Sequence, residues 1–280
     1  MLDKQQFPEM KYLSLPTLVL LTCITVLWSC KKSEDNNPKT QVTSNMLMTK
    51  MSVTGTDNLT QSVLFTHDSQ KRLTGITSDL YSNEFSYNND GTCYRVTQGD
   101  SYTEFHYKDG KPDYTLQSDY YGNEVYFDTT FYEYGSNGLM AKKTGSNMTQ
   151  LYMYDNNNQV KWIIESGEYL LHTDTTFIEW NAKGNLLKEI KHVSGYNYVT
   201  TYRYDNKHNY YKTINYPKEV NIVSDEFGTY VTSTNNCILQ MVQFYNNTSS
   251  IAYEILEYNN WGYPVKMKEG ANIIEYQYME

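Results

Sequence analysis

From about residue 60 to its end, the chain repeats one pattern of apolar and polar positions: an apolar-x-aromatic triplet, a cluster of Asn, Asp and Gly, then an apolar run. The pattern stands in Phe85-Ser86-Tyr87 before Asn88-Asn89-Asp90-Gly91, and in Phe105-His106-Tyr107 before Lys108-Asp109-Gly110. It stands again in Tyr132-Glu133-Tyr134 before Gly135-Ser136-Asn137-Gly138, and in Tyr152-Met153-Tyr154 before Asp155-Asn156-Asn157-Asn158. Ile178-Glu179-Trp180, Tyr202-Arg203-Tyr204 and Leu256-Glu257-Tyr258 continue it, with a degenerate first copy at Phe65-Thr66-His67-Asp68 and a truncated last one at Tyr276-Gln277-Tyr278. Side chains at i and i+2 of a strand share a face, so each triplet offers two apolar groups to one core. The polar cluster that follows supplies the left-handed backbone positions of a tight turn. Each unit therefore predicts a β-hairpin, and about eight units predict on the order of fifteen short strands with no helical period to cover them. The fold class that follows is all-β: repeated hairpins forming a highly curved antiparallel meander sheet, rolled into a partly closed barrel or shell. A longer match, Asp128-Thr129-Thr130-Phe131-Tyr132-Glu133-Tyr134 against Asp174-Thr175-Thr176-Phe177-Ile178-Glu179-Trp180, points to duplication of a hairpin unit.

The first 45 residues follow another rule. Lys4 and Lys11 precede an apolar run from Leu13 to Trp28, too short and interrupted for a good membrane span, and a small residue follows. That is the order of a secretory signal, here residues 1–29. Leu27-Trp28-Ser29-Cys30 resembles a bacterial lipobox, which implies cleavage before Cys30 and a lipid on its thiol. Residues 30–45, opening Cys30-Lys31-Lys32-Ser33-Glu34-Asp35, then read as a lipidated cysteine and flexible tether, and 46–280 as a single repeat-built domain.

Composition narrows the function classes. The formal net charge is -9 and stays so without the leader, which argues against nucleic acid as a partner. Once Cys23 and Cys30 are set aside, Cys93 and Cys237 remain in the domain. An oxidising envelope permits them to pair, while two buried small hydrophobes is an equal reading. The chain holds 29 tyrosines, many on the repeat anchors. Those outside the repeat register, Tyr120, Tyr121, Tyr210 and Tyr211, are the candidates for contact with a ligand, since tyrosine joins an apolar face to a polar rim.

The repeated aromatic-Asp/Asn, polar, Gly, strand motif resembles the YD-repeat (Rhs-like) class, and with the lipobox it resembles small lipid-anchored envelope proteins of Gram-negative bacteria built from degenerate copies of that repeat. The segment Tyr258-Asn259-Asn260-Trp261-Gly262-Tyr263-Pro264-Val265-Lys266 carries the likeness best. The resemblance implies a fold and an outer-membrane address, facing the periplasm or the cell surface, and leaves the activity blank.

Catalytic and metal signatures are missing from the sequence. No HExxH, CxxC, Gly-x-Ser-x-Gly, P-loop or dinucleotide fingerprint is present, and the five histidines have no ligand spacing. Glu133, Glu179 and Glu257 recur at one repeat position, which fits cross-strand pairing with Lys or Arg better than an acid pair flanking a glycosidic bond. No cofactor, catalytic residue or metal site is expected. Tyr204 and Tyr258 are 54 residues apart, and the irregular 215–236 between them is either an inserted binding loop or a degenerate hairpin pair. The function expected is a non-enzymatic module binding glycan or protein and held to the membrane through Cys30. A structural or assembly scaffold is the alternative, and a glycan hydrolase ranks third. An integral outer-membrane barrel is disfavoured, because the strand faces mix Lys, Glu and Tyr without an apolar lipid band.

Overall fold

The computed structural model describes residues 46–121, 124–168, 173–223, 233–244 and 247–280; Cys30 and the tether lie outside them. Strands run as β1 Leu47–Thr54, β2 Thr60–His67, β3 Leu73–Ser78, β4 Ser82–Tyr87, β5 Cys93–Gln98, β6 Ser101–Lys108, β7 Lys111–Tyr121, β8 Glu124–Tyr134 and β9 Met140–Thr144. They continue as β10 Met148–Tyr154, β11 Val160–Gly167, β12 Asp174–Trp180, β13 Leu186–Val193, β14 Tyr196–His208, β15 Asn235–Phe244, β16 Asn247–Tyr258, β17 Pro264–Glu269 and β18 Asn272–Met279. Each pairs antiparallel with its neighbour in sequence, and β1 also pairs with β18. The sheet is therefore a closed 18-stranded meander, the barrel among the two forms expected, and closure leaves no edge strand unpaired.

The repeat unit works as its residues dictate. At Asp68, Asn88, Gly135, Asp155, Asn181 and Asn259 the amide donates to the carbonyl four residues on and the carbonyl accepts from the amide three residues on. This is a three-residue hairpin loop with a left-handed fourth position, filled by Gly91 (φ 88°) and Gly262 (φ 79°) but also by Lys71 (φ 65°) and Asn158 (φ 62°). The Asx carboxylate or amide oxygen closes the loop: Asp155 Oδ1 accepts from the amides of Asn157 (2.8 Å) and Gln159 (3.0 Å), and Asn259 Oδ1 from those of Trp261 and Tyr263. The first anchor side chain is buried at Phe65, Phe85, Phe105, Tyr132, Ile178, Tyr202 and Tyr276, half-buried at Tyr152, and exposed at Leu256, where the register shifts between Ile255 and Glu257. The second ties one unit to the one before it. The hydroxyls of Tyr87, Tyr107, Tyr154 and Tyr278 donate to the carbonyls of Leu73, Cys93, Met140 and Pro264, each 14 residues earlier, and Trp180 Nε1 donates to Val160 O. Every such bond runs to the first residue of the preceding unit's returning strand, so the anchors form a belt around one end of the barrel, the turn end.

One unit departs from the rule. Tyr87 sits opposite Cys93, 6 positions on, whereas Tyr204 sits opposite Cys237, 33 positions on, so 27 residues are inserted into that turn. Asp205 Oδ1 still accepts from Lys207 N (2.9 Å), but its second donor is Asn236 N (3.1 Å) in place of the residue four on. The 54-residue gap is thus one ordinary hairpin plus an insertion, and the described part of 215–236 contains no hairpin. Its described part holds a 3-10 turn, Tyr210–Ile214, and α1, Lys218–Val223. It packs inward at the turn end: His67 Nε2 meets Ile214 O (3.2 Å), Asn215 Nδ2 donates to Lys71 O (2.7 Å), and Phe85 contacts Tyr216 edge-on.

Candidate functional site

Register and alternation divide the barrel wall into two halves of opposite polarity. Around β16–β18 and β1–β6 the inward side is apolar: the cross-strand row Val53, Ile274, Met267, Ile255 joins a core containing Met48, Leu73 and Phe105. The outward side of the same strands carries the row Ser62, Ser52, Glu275, Lys266, Glu257, with Lys266 Nζ 3.2 Å from Glu275. From β8 to β12 the inward row is Tyr132, Lys143, Gln150, Glu165, Asp174. Its outward counterpart, from β10 to β14, is Met153, Trp162, Phe177, Ile190, Val199. A smaller apolar cluster, Ile178, Leu186 and Tyr202, persists inside this half at the turn end.

The polar inward row is the candidate site. Alternation sends adjacent lysines to opposite sides: Lys142 lies outward with Nζ 2.8 Å from Glu133, and Lys143 lies inward at 9% exposure. Beside it Gln150 Nε2 donates to Glu165, and Gln150 Oε1 accepts from the Tyr152 hydroxyl (2.7 Å). The Tyr132 hydroxyl lies 3.1 Å from Thr115 Oγ1. Toward the end opposite the turns these side chains line a recess of about 220 Å³ formed by Asp128, Thr130, Lys143, Ser146, Asn147 and Gln150, with Gly145 and Met148. Tyr126 stands on the same side of β8 as Asp128 and Thr130, exposed, its hydroxyl donating to Glu124. At the same end Tyr198 stacks on Phe244 with ring centres 4.3 Å apart, beside a second recess of about 340 Å³.

The tyrosines singled out by sequence fare differently. Tyr120 is 47% exposed near the tip of the β7–β8 hairpin, across from Val125, and Tyr121 pairs with Glu124 at the tip itself. Tyr210 and Tyr211 lie inside the barrel, where with Tyr202, Asn209, Cys237, Gln240 and Tyr253 they line a small cavity. Tyr210 is 8% exposed, stacked between Tyr211 (4.4 Å) and Tyr276 (4.8 Å), and Tyr211 packs half-buried on the same core. The insertion that frees them from the repeat register carries them into the barrel, where burial drives the Tyr210 hydroxyl's pKa well above its ordinary value.

Cys93 and Cys237 are free thiols at equivalent positions, each opening the returning strand of its unit. Burial, then the Glu219 charge, pushes the Cys93 thiol up to about 12, and burial pushes Cys237 up to about 11. The recurrent glutamates face Lys across the strand nine residues on: Glu133 with Lys142, Glu179 with Lys188, Glu257 with Lys266. Sequence reasoning missed Lys143 and Gln150. The signal was present in Lys142-Lys143, since neighbouring lysines within one strand cannot both face water outside a barrel.

No family model and no curated protein matches the chain. Among solved structures it is similar to a porin-like protein from Bacteroides vulgatus, at 12% identity and TM-score 0.44, over 84% of this chain and 99% of that one. It is also similar to part of the Photorhabdus luminescens Tc holotoxin pore, at 8% identity and TM-score 0.34, over 75% of this chain but only 13% of that one. These likenesses are of β-rich fold.

Proposed function

We propose that the protein is an envelope lipoprotein of the degenerate YD-repeat type, held to the outer membrane through Cys30, that binds a glycan in the inward-facing recess without transforming it. The observation that carries the reading is the recess itself, a carboxylate, a mostly buried ammonium, amides and hydroxyls converging inside an otherwise apolar-cored barrel. A sugar presents hydroxyls that both donate and accept, and this donor and acceptor mixture matches them. Tyr126, on the same side of β8, offers an apolar ring for a sugar face. Binding fits better than hydrolysis because the repeated glutamates lie on the outer wall opposite lysines, Glu133 in contact with Lys142, away from the recess. The test is calorimetric titration of the mature protein with purified envelope and host glycans. Lys143→Met and Asp128→Asn should each weaken binding about tenfold, about 1.4 kcal/mol, while Ser62→Ala on the outer wall should not. If no glycan binds the wild type, the reading falls and the scaffold alternative takes its place.

A further inference from the structure

We infer that the outward apolar face of β10–β15 is seated in the interface of a lipid bilayer, so that the barrel lies on its side against the membrane. The face is built from the row Met153, Trp162, Phe177, Ile190, Val199. Leu151 and Ile164 face each other one rung along; on β15 Gln243 stands opposite Val199, and the outward Met241 and Leu239 stand opposite Thr201 and Arg203. Trp162 and Phe177 touch with ring centres 4.8 Å apart, while Leu151 and Met153 remain 41% and 44% exposed. Single exposed apolar residues need no explanation, but an unbroken row across five strands does. Inside β10 and β11 stand Gln150 and Glu165, while the outward side of these strands is the apolar one.

Curvature selects the occupant. A regular 18-stranded barrel, with strands about 4.8 Å apart and tilted by about 40°, has a radius of roughly 18 Å. A second convex barrel would touch it along only a few strands. A fluid bilayer entered to a depth of about 10 Å covers roughly a third of the circumference, about six strands. The five strands of the unbroken row, β10–β14, fall within that span. The strands half a turn away, β1–β6, present Ser52, Ser62, Thr77, Glu84, Arg95 and Glu104 outward, so full immersion is excluded. Lys142 flanks the row on β9, and on the row's own strands Lys188 and Arg203 lie toward the turn end; their stems reach along apolar surface to a headgroup layer.

The chain before the barrel allows this posture. Residues 31–45 separate Cys30 from the described domain, and fifteen residues extend to about 50 Å, more than the barrel's diameter. The inference takes only proximity from the lipid anchor proposed above; the face itself is independent of it.

The experiment places the mature lipidated protein in vesicles of phosphatidylethanolamine and phosphatidylglycerol with brominated acyl chains, and reads tryptophan emission together with co-sedimentation. The expected result is the loss of up to about a third of the emission, the share of one of the three tryptophans Trp162, Trp180 and Trp261, a loss that disappears in Trp162→Phe, as for a side chain at acyl-chain depth. Val199→Lys should relieve the quenching and Ser62→Lys should not, with near-UV circular dichroism reporting the fold and Ile190→Gln replacing Val199→Lys if that variant does not fold. Protein that sediments through Cys30 but whose Trp162 is unquenched overturns the inference and leaves the anchor standing. Protein released by Val199→Lys but not by Cys30→Ser does the reverse. A dimer by light scattering with Trp162 unquenched would overturn the inference in favour of a second copy.

Discussion

The β16–β6 half and the β8–β14 half of the barrel are made from the same hairpin unit, yet they place their polar side chains on opposite walls. In the first, Met267 and Ile274 are buried inside while Glu275 and Lys266 pair outside. In the second, Lys143 and Gln150 are buried inside while Phe177 and Trp162 lie outside. Both halves keep the anchor belt at the turn end, where Tyr278 and Tyr154 each donate to a carbonyl 14 residues earlier. The belt therefore specifies closure, and the rest of each strand is free to choose which wall is polar. Where the insertion fills the lumen, an apolar interior is dry and stabilising; away from it, an interior open to water tolerates charge.

The comparison can be broken most forcefully at the dry core. Met267→Ala, at a residue 1% exposed, should cost about 2–5 kcal/mol, read by urea denaturation. The inward Gln150→Ala should cost less, about 1–3 kcal/mol, from leaving Glu165 and Tyr152 short of a partner. A larger cost for Gln150 than for Met267 would refute the division into dry and wet halves. Next comes the splice point. Asp205 accepts from Lys207 N, from Asn236 N and Nδ2, and from the Tyr258 hydroxyl, so Asp205→Ala should cost about 2–3 kcal/mol and speed hydrogen exchange at Asn236.

The belt predicts equality between the halves. Tyr154→Phe and Tyr278→Phe should each cost about 1 kcal/mol, because each removes one hydroxyl bond to a carbonyl. Markedly unequal values would mean that the belt is not a uniform device. The smallest effect is a pH dependence at the Asp68 turn. Desolvation pushes the Asp68 carboxyl up, but hydrogen bonds from the Arg72 backbone and side chain and from Gln70 outweigh it and leave it below its ordinary value. A depressed carboxyl stabilises the folded state above its unfolded pKa, and that contribution is lost as pH falls through the folded one. Asp68→Asn should therefore flatten the acid limb of the stability profile slightly, and an unchanged limb would remove Asp68 from the account.

The hairpins, their turn residues and the inward first anchors were legible because they depend on contacts within a few positions: Asp155 to Gln159, Glu133 to Lys142. The strand that the repeat did not announce is β1, Leu47–Thr54, which precedes the first unit and is placed by its pairing with β18 and β2. That Tyr210 and Tyr211 lie inside was not legible, because leaving the repeat register reads alike for a surface loop and for an inward plug. The outward row Met153, Trp162, Phe177, Ile190, Val199 was not legible, because its residues are spread over five strands, one to each, and only register lines them up.

By itself the sequence determined the unit: two rings at i and i+2, a left-handed turn position, and a lysine opposite each recurrent glutamate. Those features are local, and backbone geometry enforces them wherever the unit sits. Tertiary structure decided what the unit leaves open. Closure of β1 on β18 set the curvature, and the 27-residue insertion at Asp205 chose which part of the lumen is filled. From that follows which wall must be dry, since a side chain's environment is fixed by what lies across the barrel and not by its neighbours along the chain.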